Sequence, residues 1–251
     1  MWKLFRLVVR SIGLAATLTM AGADYFSTAA RHRFKPSLAV RTRLLQRNSR
    51  RVLRVFASST EISGPLPKTG LLVCNHLTYL DILLLGSLTP GVFVSKYEVR
   101  HWPVLGWFSR MSGTIFVRRE RRSDVARIAR EIHCVMREGQ LVVLFPEGTS
   151  SDGRQILPFK SSLLEPATGT DHELFAGHIT YAITEGSLEN DVCYWGDMAF
   201  LPHAVKLLTR PRVAARVSFS RVQTSEASRK DLARQLHAEV VRLKIGSNMN
   251  T

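Results

Sequence analysis

A histidine and an aspartate five residues apart are the strongest candidates for catalysis in this chain. His76 directly follows the apolar run Leu71–Cys74, which predicts a buried strand, and Asp81 lies just over a turn into a predicted helix, Leu77–Leu88. A carboxylate there can bond one imidazole nitrogen, fix the tautomer and leave the other nitrogen free as a general base. The sequence has no Gly-x-Ser-x-Gly motif to supply a nucleophile. The substrate must therefore bring the attacking group.

The sequence alone leaves two other interpretations of this region open. A His followed five positions later by an Asp also arises by chance, and such a pair can be purely structural. Cys74, two residues before His76, could act as a thiol nucleophile. A Cys inside an apolar strand is, however, more typical of an inert core side chain.

Two further polar clusters follow predicted strands, which is where open α/β sheets usually place their ligands. Glu147 follows the apolar strand Leu141–Phe145 in a Pro-Glu-Gly turn, where its carboxylate could accept hydrogen bonds from a polyol. An ordinary surface turn is the simpler alternative. Lys96, Arg118 and Arg119 form the other cluster and could clamp an anionic headgroup.

The elements that must position these clusters alternate between short apolar runs and helical periods. The run Asp124–Glu138 predicts a helix. Further predicted strands are Val92–Val94, Thr114–Val117, Ile179–Ile183 and Val213–Phe219, and Leu232 to Leu243 mark one face of a C-terminal helix. This order predicts an α/β fold with a mixed, largely buried sheet flanked by helices, preceded by an N-terminal helical membrane-anchoring segment.

The N-terminal quarter holds most of the positive charge. Residues 1–60 contain 12 Lys or Arg and a single acid, Asp24, in a chain of 251 residues with net charge +15. Residues 11–23 are uncharged, which is short of the roughly 20 residues that span a bilayer. A monotopic or re-entrant helix therefore fits better than a clean span, and a secretory signal is the rival interpretation. Residues 31–54 mix basic and apolar side chains, as in a helix lying on anionic headgroups.

These patterns predict how the chain is divided into segments and which classes of partner it binds. We predict a membrane-associated helical segment over residues 1–60 and a catalytic α/β domain over residues 61–251. The basic segment comes without a zinc-finger or aromatic RNA-binding motif, so no nucleic-acid partner is expected. Three widely separated cysteines, Cys74, Cys134 and Cys193, indicate free thiols in a reducing compartment and no metal site.

Three motifs in this order resemble the glycerolipid acyltransferases, typified by bacterial 1-acylglycerol-3-phosphate acyltransferase. They are Asn75-His76 with Asp81, the run Gly113 to Arg119, and the run Phe145 to Thr149. The resemblance covers residues 75–159, about a third of the chain. Two departures concern the acceptor: Ser150 stands where the family often has Arg, and Arg118 stands where it often has Asp.

The resemblance implies that a fatty acyl group moves from a thioester, acyl-CoA or acyl carrier protein, to the free hydroxyl of a lysolipid, without a cofactor. It makes His76 the base that deprotonates this hydroxyl and Asp81 its orienting partner. The substrate-binding residues that it implies are Asn75, Lys96, Arg118, Arg119, Glu147, Gly148 and Thr149.

The acceptor that the resemblance favours is 1-acylglycerol-3-phosphate, which would give phosphatidic acid. Acylation of lyso-ornithine lipid is one alternative, and a non-catalytic basic protein that binds anionic membrane lipid is another. The expected location is the inner (cytoplasmic) membrane, with the active site on its cytoplasmic side and anionic lipids as the surface partner.

Overall fold

A seven-stranded sheet forms the centre of the computed structural model, which describes residues 1–102, 104–118, 122–168, 171–223 and 228–249. The strands are β1 (Ser59–Ser63), β2 (Gly70–Cys74), β3 (Val92–Lys96), β4 (Ile115–Val117), β5 (Leu141–Leu144), β6 (Leu174–Ile183) and β7 (Val213–Val222). Their order across the sheet is β1-β7-β6-β2-β5-β3-β4. The five strands from β6 to β4 are parallel, and β7 runs antiparallel to β6. The predicted mixed sheet is confirmed.

Helices cover both faces of this sheet. They are α1 (Trp2–Arg31), α2 (Leu38–Val55), α3 (Leu80–Leu88), α4 (Leu105–Ser112), α5 (Arg122–Arg137), α6 (Leu188–Asp191), α7 (Phe200–Leu208) and α8 (Arg229–Met249). Val52 of α2, Leu84 of α3 and Leu207 of α7 pack on one face. Ile128 of α5 and Leu232 of α8 pack on the other. Because both faces are covered, β2 and β5 are apolar at every position rather than alternating.

Four parallel strands bring the predicted clusters to one edge of the sheet. Val73 of β2 pairs with Leu144 of β5, and β5 pairs in turn with β3. Lys96, the last residue of β3, pairs with Val117, the last residue of β4. The loops that follow these four strands therefore all leave the sheet at its carboxyl edge.

Helix α3 begins at Leu80, three residues later than the sequence predicts. The carboxylate of Asp81 accepts hydrogen bonds from the backbone N–H groups of Leu77 at 2.7 Å and Thr78 at 3.0 Å. These bonds hold the residues before Leu80 in a turn, because a side-chain acceptor competes with the helical pattern.

Helix α1 is a single 30-residue helix that is fastened to the rest of the protein near its start. The buried guanidinium of Arg10 donates to the carbonyl oxygens of Leu208 at 3.2 Å and Pro211 at 2.7 Å. By length and composition the helix could cross a bilayer, and most of its apolar window is exposed. The exposed apolar residues are Trp2, Leu4, Phe5, Val8, Val9, Ile12, Met20 and Phe26. A long apolar helix that can anchor to a membrane is thus present at the predicted place.

Helix α2 uses part of its positive charge inside the protein. Arg41 Nε donates to the carbonyl oxygen of Met111 at 2.8 Å, and Arg50 Nε to that of Ser87 at 2.8 Å. Both carbonyls lie in the last turn of a helix, where cations stabilise the end of the helix dipole. The helix ends at Val55 and β1 begins at Ser59, so residue 60 lies inside a strand. The division of the chain at that residue stays a prediction.

Candidate active site

The structure brings His76 and Asp81 into direct contact at the carboxyl edge of the sheet. His76 Nδ1 lies 2.8 Å from Asp81 Oδ2. An ionised carboxylate only accepts hydrogen bonds, so Nδ1 carries the proton and Nε2 keeps its lone pair. The imidazole stacks on the ring of Phe145 at 4.2 Å between centroids, and the side chain is 20% exposed. The imidazole is therefore held in place while still reachable from outside.

The carboxylate of Asp81 is fully buried and is held by four donors. Besides the His76 ring and the two backbone N–H groups of the turn, the hydroxyl of Tyr181 donates to Oδ1 at 2.7 Å. Burial raises the pKa of Tyr181, so its hydroxyl keeps the proton that it donates. No local pattern in the sequence indicates Tyr181, which lies 100 positions after Asp81 on β6.

Asn75 joins β2 to β6 next to the dyad. Its side-chain amide donates to the carbonyl oxygen of Ile179 at 3.0 Å and accepts from the N–H of Ile179 at 2.7 Å. This pair of bonds continues the β2–β6 pairing beyond Cys74 and fixes the strand that carries Tyr181. Both amide atoms of Asn75, a predicted substrate-binding residue, are thus bonded within the protein.

Glu147 ties the loop after β5 to the residue that carries the imidazole. Its Oε1 accepts from the backbone N–H of His76 at 3.0 Å, and its Oε2 from that of Leu157 at 3.2 Å. The side chain is buried, which raises the pKa of Glu147 to about 7. Gly148 turns the chain in the left-handed region, with φ of +81°, and leaves Thr149 exposed. The Glu147 carboxylate therefore faces backbone donors, and Thr149 is the exposed member of the motif.

The structure describes two of the three residues predicted to clamp the headgroup, Lys96 and Arg118. The guanidinium of Arg118 lies 3.6 Å from the centroid of the Tyr97 ring, and Arg100 approaches the same ring at 5.9 Å. Lys96 is exposed at the end of β3, next to Tyr97 in the chain. Arg119 lies outside the described residues. Lys96, Arg100 and Arg118 form what we call the cation cluster, on the far side of β5 from His76.

Cys74 is not placed to act as a nucleophile. Its side chain is completely buried, and burial raises the pKa of its thiol well above the ordinary value. A thiol serves as a nucleophile in its ionised, accessible form. Within the described residues, no group of three His, Cys, Asp or Glu side chains gathers as it would around a metal ion.

This geometry can activate a hydroxyl group that comes from outside the protein. The free Nε2 of His76 can take the proton of an alcohol, and the buried carboxylate of Asp81 stabilises the imidazolium that forms. The arrangement contains the base of a hydrolase triad and the carboxylate that orients it, but not the serine nucleophile. It therefore suits direct transfer of an acyl group to a bound alcohol.

Comparisons with known proteins agree with this class of chemistry. The acyltransferase family model matches residues 46–175, which include β2 to β5 and the dyad. The match covers more than half of the chain, so the protein belongs to the acyltransferase family.

Individual relatives carry names that specify lysolipids. A lyso-ornithine lipid O-acyltransferase of Rhodobacter capsulatus is 39% identical over 183 residues, 70% of this chain and 66% of that protein. A 1-acyl-sn-glycerol-3-phosphate acyltransferase of Neisseria meningitidis is 34% identical over 144 residues, 56% of each protein. The matched stretch thus spans slightly less than two thirds of the first protein and just over half of the second.

The fold also matches a solved structure. The 1-acyl-sn-glycerophosphate acyltransferase PlsC from Thermotoga maritima superposes with a TM-score of 0.66 over 96% of this chain and 94% of that one. At 15% identity, this match supports the fold alone. The predicted α/β fold with an N-terminal helical segment is confirmed.

Proposed function

We propose that this protein transfers a fatty acyl group from a thioester to the hydroxyl of a lysolipid, with His76 as the general base. The observation that carries the proposal is the 2.8 Å contact between His76 Nδ1 and the buried Asp81 carboxylate, which leaves Nε2 free. The hydroxyl oxygen attacks the thioester carbonyl while Nε2 takes its proton. The imidazolium then returns that proton to the departing thiolate.

Lyso-ornithine lipid is the acceptor that we propose first. The Rhodobacter relative with that name matches this chain over a longer stretch and at higher identity than the Neisseria relative. The acceptor 1-acylglycerol-3-phosphate is the second candidate, because the cation cluster offers exposed positive charge to a phosphate. The donor is an acyl-CoA or an acyl carrier protein, and no cofactor takes part.

An assay of the purified protein with both acceptors and both donors tests the proposal. We expect acylation of lyso-ornithine lipid by the wild type and a loss of 10²- to 10⁴-fold in His76→Ala, the usual contribution of a general base. His76→Ala retains the contacts of Asp81 with backbone N–H groups and should therefore fold, and a reaction without protein measures spontaneous thioester loss. Unchanged turnover in His76→Ala would refute the proposed mechanism.

We further propose that the exposed apolar face of α1 inserts into one leaflet of the inner membrane, with the active site on the cytoplasmic side. Arg10 supports insertion without crossing, since it fixes the first third of the helix to carbonyl groups of the protein body. The donors named above are cytoplasmic molecules, and free cysteines suit that compartment. Exposed Arg31 at the end of α1, with Arg33 and Lys35 just after it, can meet anionic headgroups.

Sedimentation with anionic vesicles tests this mode of binding. Replacing exposed Phe5 and Val9 by Asp should lower the vesicle-bound fraction of the full-length protein at least tenfold, because each buried apolar side chain contributes about 2 kcal/mol. Ile245→Asp, at an exposed site on α8, is the matched control. High salt should release the wild type only partly, since apolar burial is not screened. Complete release by salt would contradict insertion.

A further inference from the structure

The segment between α6 and α7 lies against both loops of the active site. The backbone N–H of Tyr194 donates to the carbonyl oxygen of Leu77 at 2.8 Å, next to His76. The hydroxyl of Ser150, next to Thr149, donates to the carbonyl oxygen of Tyr194. One residue of this segment is thus bonded to the loop that carries the base and to the loop that carries the Glu-Gly-Thr motif.

An aromatic cluster holds the other end of the segment. The hydroxyl of Tyr79 lies 3.1 Å from Nδ1 of His203 in α7, and the Tyr79 ring meets those of Phe200 at 5.0 Å and Tyr194 at 5.7 Å. Burial lowers the pKa of His203 and raises that of Tyr79, so both stay neutral and Nδ1 accepts the hydroxyl proton. The segment Tyr194–His203 is therefore fixed at both ends beside the dyad.

Between these fixed ends the chain forms an exposed turn with an unused carboxylate. Met198 N–H donates to the carbonyl oxygen of Trp195 at 3.3 Å, and Gly196 occupies the left-handed region at φ +59° with open space around it. Asp197 is exposed and, within the described part of the chain, has no ion pair or hydrogen bond. Its acidic neighbours differ, since Glu189 pairs with Arg154 and Asp191 with basic residues of α7 and beyond.

We propose that the segment Tyr194–His203 selects the acceptor headgroup, and that the Asp197 carboxylate binds an ammonium group on it. Asp197 is the third residue after Tyr194, a reach of at most about 11 Å. Since Tyr194 bonds the residue after His76, an acceptor whose hydroxyl meets His76 Nε2 can place one polar group beside this segment while its anionic group meets the cation cluster. A carboxylate there favours a cationic headgroup and repels a phosphate.

This inference rests on the proposed function and deepens it. An ornithine headgroup carries an ammonium and a carboxylate, whereas 1-acylglycerol-3-phosphate carries a phosphate and no cation. The ammonium would meet Asp197, and the fixed ends of the segment would lower the cost of ordering that carboxylate on binding.

Removing the two charges in turn tests the contact. The substrates are lyso-ornithine lipid and its Nδ-acetyl derivative, and the proteins are full-length wild type, Asp197→Asn and Asp171→Asn. Asp171 is an exposed carboxylate before the start of β6, at the opposite edge of the sheet, and serves as the matched control. We expect acetylation to raise KM of the wild type about fivefold, as for an exposed ion pair, and to leave KM of Asp197→Asn unchanged. Neither change should alter kcat or the KM of the donor.

The outcomes separate the two proposals. Equal effects of acetylation on the wild type and on Asp197→Asn would overturn the Asp197 contact while leaving the acyltransferase proposal intact. An effect of Asp171→Asn as large as that of Asp197→Asn would overturn it as well. If the wild type does not acylate lyso-ornithine lipid at all but acylates 1-acylglycerol-3-phosphate, the proposed acceptor fails first and the headgroup assignment fails with it.

Discussion

The dyad and the cation cluster lie on the same edge of one sheet, yet they are built in opposite ways. Asp81 is fully buried and satisfied by four donors, and its partner His76 is anchored by a stacked ring. Lys96 and Arg100 are exposed, and Arg118 is held mainly by its contact with the Tyr97 ring. One region is fixed from several directions, and the other consists of side chains that can adjust.

This difference matches what each region has to do. A general base needs one geometry and one tautomer. Buried hydrogen bonds fix both, and they make the region sensitive to substitution. A headgroup that arrives from a membrane can be met by several orientations of exposed cations. We therefore expect substitutions in the dyad network to act on kcat and substitutions in the cation cluster to act on KM.

The largest expected effect comes from Asp81→Asn. In the wild type the donors around residue 81 face the oxygens of a carboxylate. The asparagine amide turns an NH₂ group toward them, so the Nδ1 proton of His76 loses its acceptor. The imidazole then favours the tautomer that carries its proton on Nε2. Because Asp81 acts through His76, we expect kcat to fall by roughly 10²- to 10⁴-fold, no more than in His76→Ala. Circular dichroism and initial rates measured on one preparation separate folding from catalysis. A normal kcat in a folded variant would mean that the pair is structural only.

A smaller effect, on stability, is expected from Glu147. With its pKa raised to about 7, the folded state binds a proton that the unfolded state has lost between pH 4.5 and 7. The unfolding free energy should therefore fall as pH rises through that range, by about 3 kcal/mol from this group. Glu147→Gln has no charge to bury and should lack this part of the slope.

Urea titrations of both proteins in the same detergent, at pH 4.5 and pH 8, measure the difference. If the unfolding free energies of the wild type and Glu147→Gln depend equally on pH, then ionisation of the buried Glu147 carboxyl does not lower stability. That result would also weaken the contrast between a buried network and an exposed cluster.

The smallest effect is expected in the cation cluster. Arg118→Ala should raise KM for lyso-ornithine lipid and for 1-acylglycerol-3-phosphate by about threefold, because both carry an anionic group and exposed ion pairs contribute little each. The value of kcat should not change. Arg234→Ala, at a highly exposed site on α8, is the control. A fall in kcat without a change in KM would place Arg118 in the chemistry rather than in binding.

The sequence located the dyad because both residues lie within one short stretch. His76 and Asp81 are joined by a single strand-to-helix turn, so local spacing predicts their contact. The strands that lead into the dyad and into Glu147 were also predictable, since β2 and β5 are continuous apolar runs. Parallel pairing then brings their ends to one edge of the sheet.

Contacts between residues that are far apart in the sequence cannot be predicted from local spacing. Tyr181 reaches Asp81 only because β6 pairs with β2, a choice of neighbour that no local pattern encodes. The composition of residues 31–54 predicts a helix lying on anionic headgroups, whereas Arg41 and Arg50 bond carbonyl groups at the ends of two other helices. Side-chain composition alone does not distinguish an arginine that caps a helix from one that meets lipid.

In the proposed mechanism the acceptor's own oxygen attacks the thioester, and no acyl group is held by the protein. Intact-mass spectrometry of the wild type with an acyl donor and no acceptor tests it directly. We expect an unmodified protein mass, with acylated product formed only after lysolipid is added. A stoichiometric acyl–protein adduct that disappears on adding lysolipid would contradict it.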